Sequence, residues 1–185
     1  GRKTDEPLRL AFDSKRVVHA AMGGSMVPPP MAQKVWRDIM AKPVEGHPTQ
    51  MAYIHIPFCQ QKCFYCDFPS FAGRERYMED YTAALCQEIR TQGSCCRQKW
   101  GEPATVYIGG GTPTALPREL LGQIICTVTE VCLDKGSRPE FTVECNPGTV
   151  DADDLLLLRR NGISRLSFGV QSFDDVLLKA IGRIH

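Results

Sequence analysis

The sequence predicts an α/β fold on a parallel sheet, either a small open sheet or the first part of a larger barrel. Three observations lead there. The 185 residues are about one domain's worth of chain, and at 43% hydrophobic and 23% charged they can bury a core. After Met51, short β-branched and aromatic runs alternate with segments of helical period. Strand and helix in strict alternation require crossover connections, which are right-handed and make neighbouring strands parallel.

The elements follow in order. Residues 1–50 form an arm, broken by Met22-Gly23-Gly24-Ser25-Met26-Val27-Pro28-Pro29-Pro30 and again by Pro43, Gly46 and Pro48. A short amphipathic helix is expected from about Met31 to Met40, with Val35, Trp36, Ile39 and Met40 as its apolar stripe. Trp36 suggests that this arm packs on the next unit, because exposed Trp is uncommon. The core unit is residues 51–185. Ala52–Ile56 reads as the first strand and Tyr77–Thr91 as a helix with Tyr77, Tyr81, Leu85 and Ile89 on one face. Ala104–Ile108 is the second strand, stopped by Gly109-Gly110-Gly111, and Leu116–Leu133 the next helix. Glu140–Cys145 is the third strand. Asp151–Asn161 is a helix with Gly162 as its stop. Arg165–Val170 is the fourth strand, and Asp174 opens a helix in which the chain is expected to end. An unpaired parallel edge is an aggregation hazard, so the natural polypeptide is expected to continue past His185.

The charges are 22 basic against 21 acidic, a net charge of +1. That balance excludes a broad electrostatic footprint for nucleic acid or for an acidic membrane surface. The leucine run Leu155–Leu158 is far too short to cross a bilayer, and the first residues lack a signal-peptide pattern. Nine cysteines, an odd number, then suggest a thiol-rich cytoplasmic protein and not a disulfide framework.

The most informative stretch is Cys59-Gln60-Gln61-Lys62-Cys63-Phe64-Tyr65-Cys66, a Cys-x3-Cys-x2-Cys array on the loop leaving the first strand. Three thiolates this close repel one another unless protonated or bound to a cation. Structural zinc needs four ligands, and no fourth is obvious. An iron–sulfur cube held by three cysteines keeps one iron open to a small molecule, so the missing ligand becomes the functional feature. A zinc-stapled binding module is the alternative of a different class. Cys86, Cys126 and Cys132 read as small core residues on helices, and Cys95-Cys96 as part of a Gly-Ser loop without a partner.

With Tyr65 as its aromatic, the array resembles the cluster motif of the radical SAM superfamily. More closely, the chain resembles the coproporphyrinogen III oxidase-like group. The blocks that carry this are Tyr53-Ile54-His55-Ile56-Pro57-Phe58-Cys59, Gly109-Gly110-Gly111-Thr112-Pro113-Thr114, Glu144-Cys145-Asn146-Pro147-Gly148 and Ser167-Phe168-Gly169-Val170-Gln171-Ser172-Phe173. They stand in the family's order and cover about residues 51–185. The resemblance implies the first four units of a partial (β/α) TIM-type barrel, with its site at the carboxyl ends of the strands. It implies a [4Fe-4S] cluster on Cys59, Cys63 and Cys66, and S-adenosylmethionine on the open iron. Tyr53, Tyr65, Gly110, Gly111, Thr112, Glu144, Gln171 and Arg183 match positions around that cofactor. On their own residues, Tyr53 shares a strand face with His55, the glycines allow close backbone approach, and Glu144 ends a strand where a carboxylate can hold amino or hydroxyl groups.

The branch follows from finer detail. The oxidase proper carries a further cysteine two places after the motif, where this chain has Phe68. Cys66-Asp67-Phe68 followed by Phe71-Ala72-Gly73 resembles the haem chaperone branch. Ala11–Ala20 resembles instead the leader of radical SAM methyltransferases that open haem anaerobically, and His19 within it is a candidate haem contact. All three branches, radical enzyme or haem chaperone, imply a tetrapyrrole partner, haem or coproporphyrinogen. A working enzyme would also need a one-electron donor such as flavodoxin or ferredoxin. A carrier that keeps the cluster without radical chemistry needs no such donor.

Overall fold

A computed structural model describes residues 27–46 and 50–185; the leader block Ala11–Ala20, with His19, lies outside the described residues. The chain divides into two units, residues 1–43 and 44–185. In the first, α1 (Pro29–Ala41) starts on Pro29 and Pro30, where missing N–H groups cost nothing, and buries none of its residues. In the second, four parallel strands are hydrogen-bonded in the order β1 (Met51–Ile56), β4 (Thr105–Gly110), β5 (Glu140–Cys145), β6 (Arg165–Phe168). A two-stranded parallel pair, β2 (Phe58–Cys59) with β3 (Phe71–Ala72), closes the loop after β1. Successive sheet strands are always neighbours and the order never reverses. That is how a barrel is wound, in contrast to a doubly wound open sheet.

Helices fill each crossover. A 3₁₀ turn at Glu75–Tyr77 leads into α2 (Met78–Glu88), a π turn at Ile89–Gly93 and α3 (Ser94–Trp100). The others are α4 (Arg118–Cys132), α5 (Ala152–Arg160) and α6 (Asp175–Ala180). The core lies between the sheet and these helices. Ile54, Ile56, Val106, Ile108, Phe141 and Val143 from the strands meet Ile124, Ile125 and Val128 of α4, all buried. Each such side chain taken out of water contributes about 1.5–3 kcal/mol. The opposite rows, Tyr53 beside Tyr107 beside Thr142 and, one rung on, Glu144 beside Ser167, face the other way. Alternation therefore separates a greasy face from a functional one.

Several expectations need correction. The helix after β1 does not stop near Thr91. It runs through the π turn to Trp100, and Cys95-Cys96 is helical. Gly93 packs here instead of breaking: a Cβ on it would lie 3.1 Å from Cys132 Sγ, so glycine lets this helix approach α4. Ser94 Oγ returns its proton to Arg90 O at 2.6 Å. The 3₁₀ turn shifts the helical phase, so Met78, Thr82, Cys86 and Ile89 form the buried stripe while Tyr77 stays exposed. Cys126 is exposed beside Asn161 and is not a core residue. Gly109 and Gly110 belong to β4 and do not end it before them. β6 stops at Phe168, two residues short of the expected end. Finally, α6 ends at Ala180, followed by Gly182 at φ 74°, so the chain does not end inside a helix.

Burial pushes the Cys145 thiol up to about 11, with Glu144 adding to the rise and a hydrogen bond to Thr114 opposing it. The folded state therefore favours the neutral thiol. Its contribution to stability is complete below the ordinary value of 9.0 and fades as pH climbs through about 11. Thiol labelling near neutral pH is expected to modify Cys95 and Cys126 first and Cys86, Cys132 and Cys145 last. Urea titrations of the Cys145→Ser and native proteins are expected to show a smaller stability gap near pH 11 than near pH 8.

Candidate functional site

The site stands at the carboxyl ends of the four sheet strands. Leaving β1, the chain enters a loop that is held from several sides. Lys62 spends its ammonium donors on Phe68 O at 2.7 Å, Ser70 O at 3.2 Å and Ser70 Oγ at 3.2 Å, so the loop encircles its own lysine. His55 Nε2 lies 2.9 Å from Pro69 O; a carbonyl only accepts, so Nε2 carries the proton. Nδ1 then accepts from Tyr53 OH at 3.0 Å in the neutral ring. From the far end of the chain, Ile181 O accepts from Phe64 N at 3.1 Å and Gly182 O accepts from Gln61 Nε2 at 3.1 Å. Replacing Lys62 by Met removes the inner clasp. Loss of iron from the loaded loop to a chelator is then expected to be about tenfold faster, as for other outer supports of metal ligands.

Each sulfur of the loop has a polar neighbour on a different segment. Arg183 Nη1 lies 3.3 Å from Cys63 Sγ, Thr112 Oγ1 3.8 Å from Cys59 Sγ and Ser70 Oγ 3.9 Å from Cys66 Sγ. All three sulfur-bearing residues line a cavity of about 330 Å³, together with Tyr65, Gly110, Gly111, Thr112, Glu144, Gln171 and Arg183. Ten of the eleven residues expected from the sequence thus surround one space. Tyr53 is the exception. It does not line the cavity but stacks on Tyr107, ring centroids 6.2 Å apart, and supports His55.

Glu144 is aimed by two contacts. Tyr107 OH donates to one carboxylate oxygen at 2.6 Å, and Gly110 N–H to the other at 3.0 Å. Burial, then the neighbouring carboxylate, raises the Tyr107 phenol above its ordinary range, so it remains a donor at neutral pH. Tyr65 is raised likewise, first by burial and then by Cys63, with Arg183 opposing. Gln171 is the only described non-glycine residue at positive φ, 62°, a strain of about 1–3 kcal/mol of the kind kept at ligand sites. Arg183 fans its guanidinium over Cys63 Sγ, Asn146 Oδ1 at 2.8 Å and Gly169 O at 2.7 Å, and leaves Nε buried with no protein partner.

This donor set fits an iron–sulfur cube and an amino-acid ligand. Among the described residues, no three His, Cys, Asp or Glu side chains converge as a single-ion site. Three thiols of one loop lining the same cavity are the donor set of an iron–sulfur cube that keeps one iron open. A carboxylate and a guanidinium lining the same space suit a ligand bearing both an amino and a carboxyl group. Sequence reasoning missed Tyr107, Asn146, Lys62 and Ser70. Tyr107 was open to discovery, because strand alternation places it on the face of Tyr53. The others act through loop geometry, which no periodicity encodes.

Comparison with known proteins places the fold and the sequence in a family. The family model for the radical SAM superfamily matches residues 53–185. The heme chaperone HemW of Bacillus subtilis is 43% identical over 136 residues, covering 72% of this chain and 35% of that protein. The oxygen-independent coproporphyrinogen-III oxidase-like protein HemZ of the same organism is 35% identical over 136 residues, with 72% and 27% covered. Among solved structures, the coproporphyrinogen III oxidase HemN from Escherichia coli, described as a radical SAM enzyme, aligns with a TM-score of 0.69 and 26% identity over 82% of this chain and 34% of that one. The chain spans about a third of the length of the curated relatives it matches. No described helix is long and apolar enough to cross a membrane.

Proposed function

This chain belongs to the radical SAM superfamily, and on that premise we propose that it is the cofactor-binding part of a haem chaperone-like member of the coproporphyrinogen III oxidase-like group. Membership implies a [4Fe-4S] cluster and S-adenosylmethionine. In this reading Cys59, Cys63 and Cys66 hold the cluster. The observation that carries it is the shared cavity, lined by three thiols of one loop together with Glu144, Gln171 and Arg183.

When bound, the cluster supplies one electron to the sulfonium and so permits cleavage of a carbon–sulfur bond. The chain's own residues bind and orient. Glu144, fixed by Tyr107 and the Gly110 N–H, offers a carboxylate to the amino or ribose groups of the nucleoside. The Arg183 guanidinium at the wall of the space offers its charge to a carboxylate, and Gly110 and Gly111 let backbone come close. Tyr65 and Phe168 give the space aromatic walls. The chaperone branch is favoured by Phe68 at the place of the oxidase's extra cysteine, and by relatives named heme chaperone at 37–43% identity. Its tetrapyrrole would be haem, received and passed on in the cytoplasm. A flavodoxin- or ferredoxin-type donor would be needed only if radical chemistry is retained.

The test is anaerobic reconstitution of the full natural polypeptide, with iron and sulfide analysis, a visible spectrum, and haem transfer to an apo-protein. About four irons per chain, a spectrum altered by S-adenosylmethionine and haem transfer are expected. Zinc alone in place of iron overturns the reading, and decarboxylation of coproporphyrinogen would assign the oxidase branch instead.

A further inference from the structure

We propose that Asn146 is a positioning residue for the Cys59 ligand: gripped by Arg183, it turns the Thr112 hydroxyl onto the Cys59 sulfur and thereby tunes the redox poise of the site. This rests on the cluster reading above and adds to it a residue with no sulfur contact of its own.

The hydrogen-bond directions are fixed by chemistry. A guanidinium only donates, so the atom of Asn146 that faces Arg183 Nη2 at 2.8 Å is its oxygen. The amide NH₂ must then face the other way, and it donates to Thr112 Oγ1 at 2.8 Å. With its oxygen occupied as an acceptor, the hydroxyl keeps one proton to give, and Cys59 Sγ lies 3.8 Å away. Thr112 is buried, so water does not compete for that proton. The Thr112 backbone is committed too, its N–H donating to Phe58 O at 2.7 Å, which fixes the side chain against Cys59.

The Asn146 side chain is not needed for its own turn. The turn is closed by the Asn146 backbone and Thr149: Thr149 N and the Thr149 hydroxyl donate to Asn146 O at 3.1 and 2.6 Å, and Asn146 N faces that hydroxyl at 3.2 Å. A second observation locks the amide from the opposite side. A Cβ on Gly169 would stand 2.8 Å from Asn146 Oδ1, so glycine is required there for the amide to remain where Arg183 holds it. A donor directed at a ligand sulfur stabilises the more electron-rich, reduced state and raises the potential.

The experiment is a potentiometric titration, followed by electron paramagnetic resonance, of the reconstituted full-length protein and its variants. Thr112→Val and Asn146→Ala are each expected to lower the midpoint potential, and Thr112→Ser to leave it at the native value. Thr112→Val combined with Asn146→Ala is expected to shift no further than Thr112→Val alone, because the two residues act in series. Gly169→Ala, whose Cβ would meet Asn146 Oδ1 at 2.8 Å and Gln171 and Arg183 at 3.2 and 3.6 Å, is expected to shift it the same way, and, if Asn146→Ala does not fold, combining it with Thr112→Val decides the matter, the proposal requiring no shift beyond that of Thr112→Val. An unmoved potential in Asn146→Ala or Gly169→Ala, or additive shifts in either double variant, overturns the proposal while the cluster reading stands. A native protein that takes up no iron overturns the cluster reading itself.

Discussion

Cys59→Ala, Cys63→Ala and Cys66→Ala are each expected to abolish stable cluster uptake, with iron per chain falling to background and visible absorption lost. A cube on three protein ligands has none to spare. Removing one leaves two sulfurs from a solvent-accessible loop and opens a second iron. The polypeptide itself is expected to survive, since all three side chains are only partly buried and lie outside the core. Far-ultraviolet circular dichroism and urea midpoints of the metal-free variants should match the native metal-free protein. A variant that kept full iron would remove its cysteine from the ligand set. Cys63→Ala is expected to disturb Arg183 as well, because that guanidinium would lose one of its acceptors.

The second large effect is expected in the backbone that borders the cavity. Gly110→Ala meets two obstacles. Its φ of 116° is a region that side chains rarely adopt, and the new Cβ would lie 2.5 Å from the His55 ring. Gly111→Ala meets backbone, which cannot rotate away: the Cβ would stand 2.6 Å from Phe58 O and 3.0 Å from Cys59 Sγ. Strain and overpacking together cost about 2–5 kcal/mol at either position. Set against a typical total of about 5–15 kcal/mol, that is a large share of the stability. Lowered urea midpoints check this. Gly111→Ala should in addition weaken iron retention, because the displaced atoms include a ligand sulfur. Gly110→Ala should instead weaken S-adenosylmethionine binding in the proposed site, because relieving the clash with His55 moves the N–H that holds Glu144.

Much of the architecture was legible in the residues. β5 was read at its observed bounds, and α5 was read one residue wide at each end, from Asp151 to Asn161; Asp151 is its cap, accepting from Asp154 N, while the Asp154 carboxylate accepts from Asp151 N. Those signals are local, so the sequence carries them openly. The extension from α2 through α3 was not legible, because Gly93-Ser94 has the composition of a loop, and only the surface of α4 across from it explains why glycine is there. The site divides the same way. Residues bearing distinctive chemistry, such as the cysteines, Glu144 and Arg183, announced themselves by motif. Asn146 matters through which of its atoms faces Arg183 and which faces Thr112, and that is a property of three dimensions. Tyr53 shows the converse: its place on the correct strand face was legible, but its distance from the cavity was not.

The segment after α6 closes the loop around Cys63 across 120 residues of chain, through Arg183, and Phe64 lies against Gly182, where a Cβ would come within 3.0 Å of the ring. A nascent chain that has emerged only as far as β5 therefore carries every thiol yet lacks the cation and the carbonyls that hold them in place. What such a chain already has is the inner clasp, Lys62 on Phe68 O and Ser70; the outer one arrives only with residues 181–183, so the loop is fastened by the two ends of the fold.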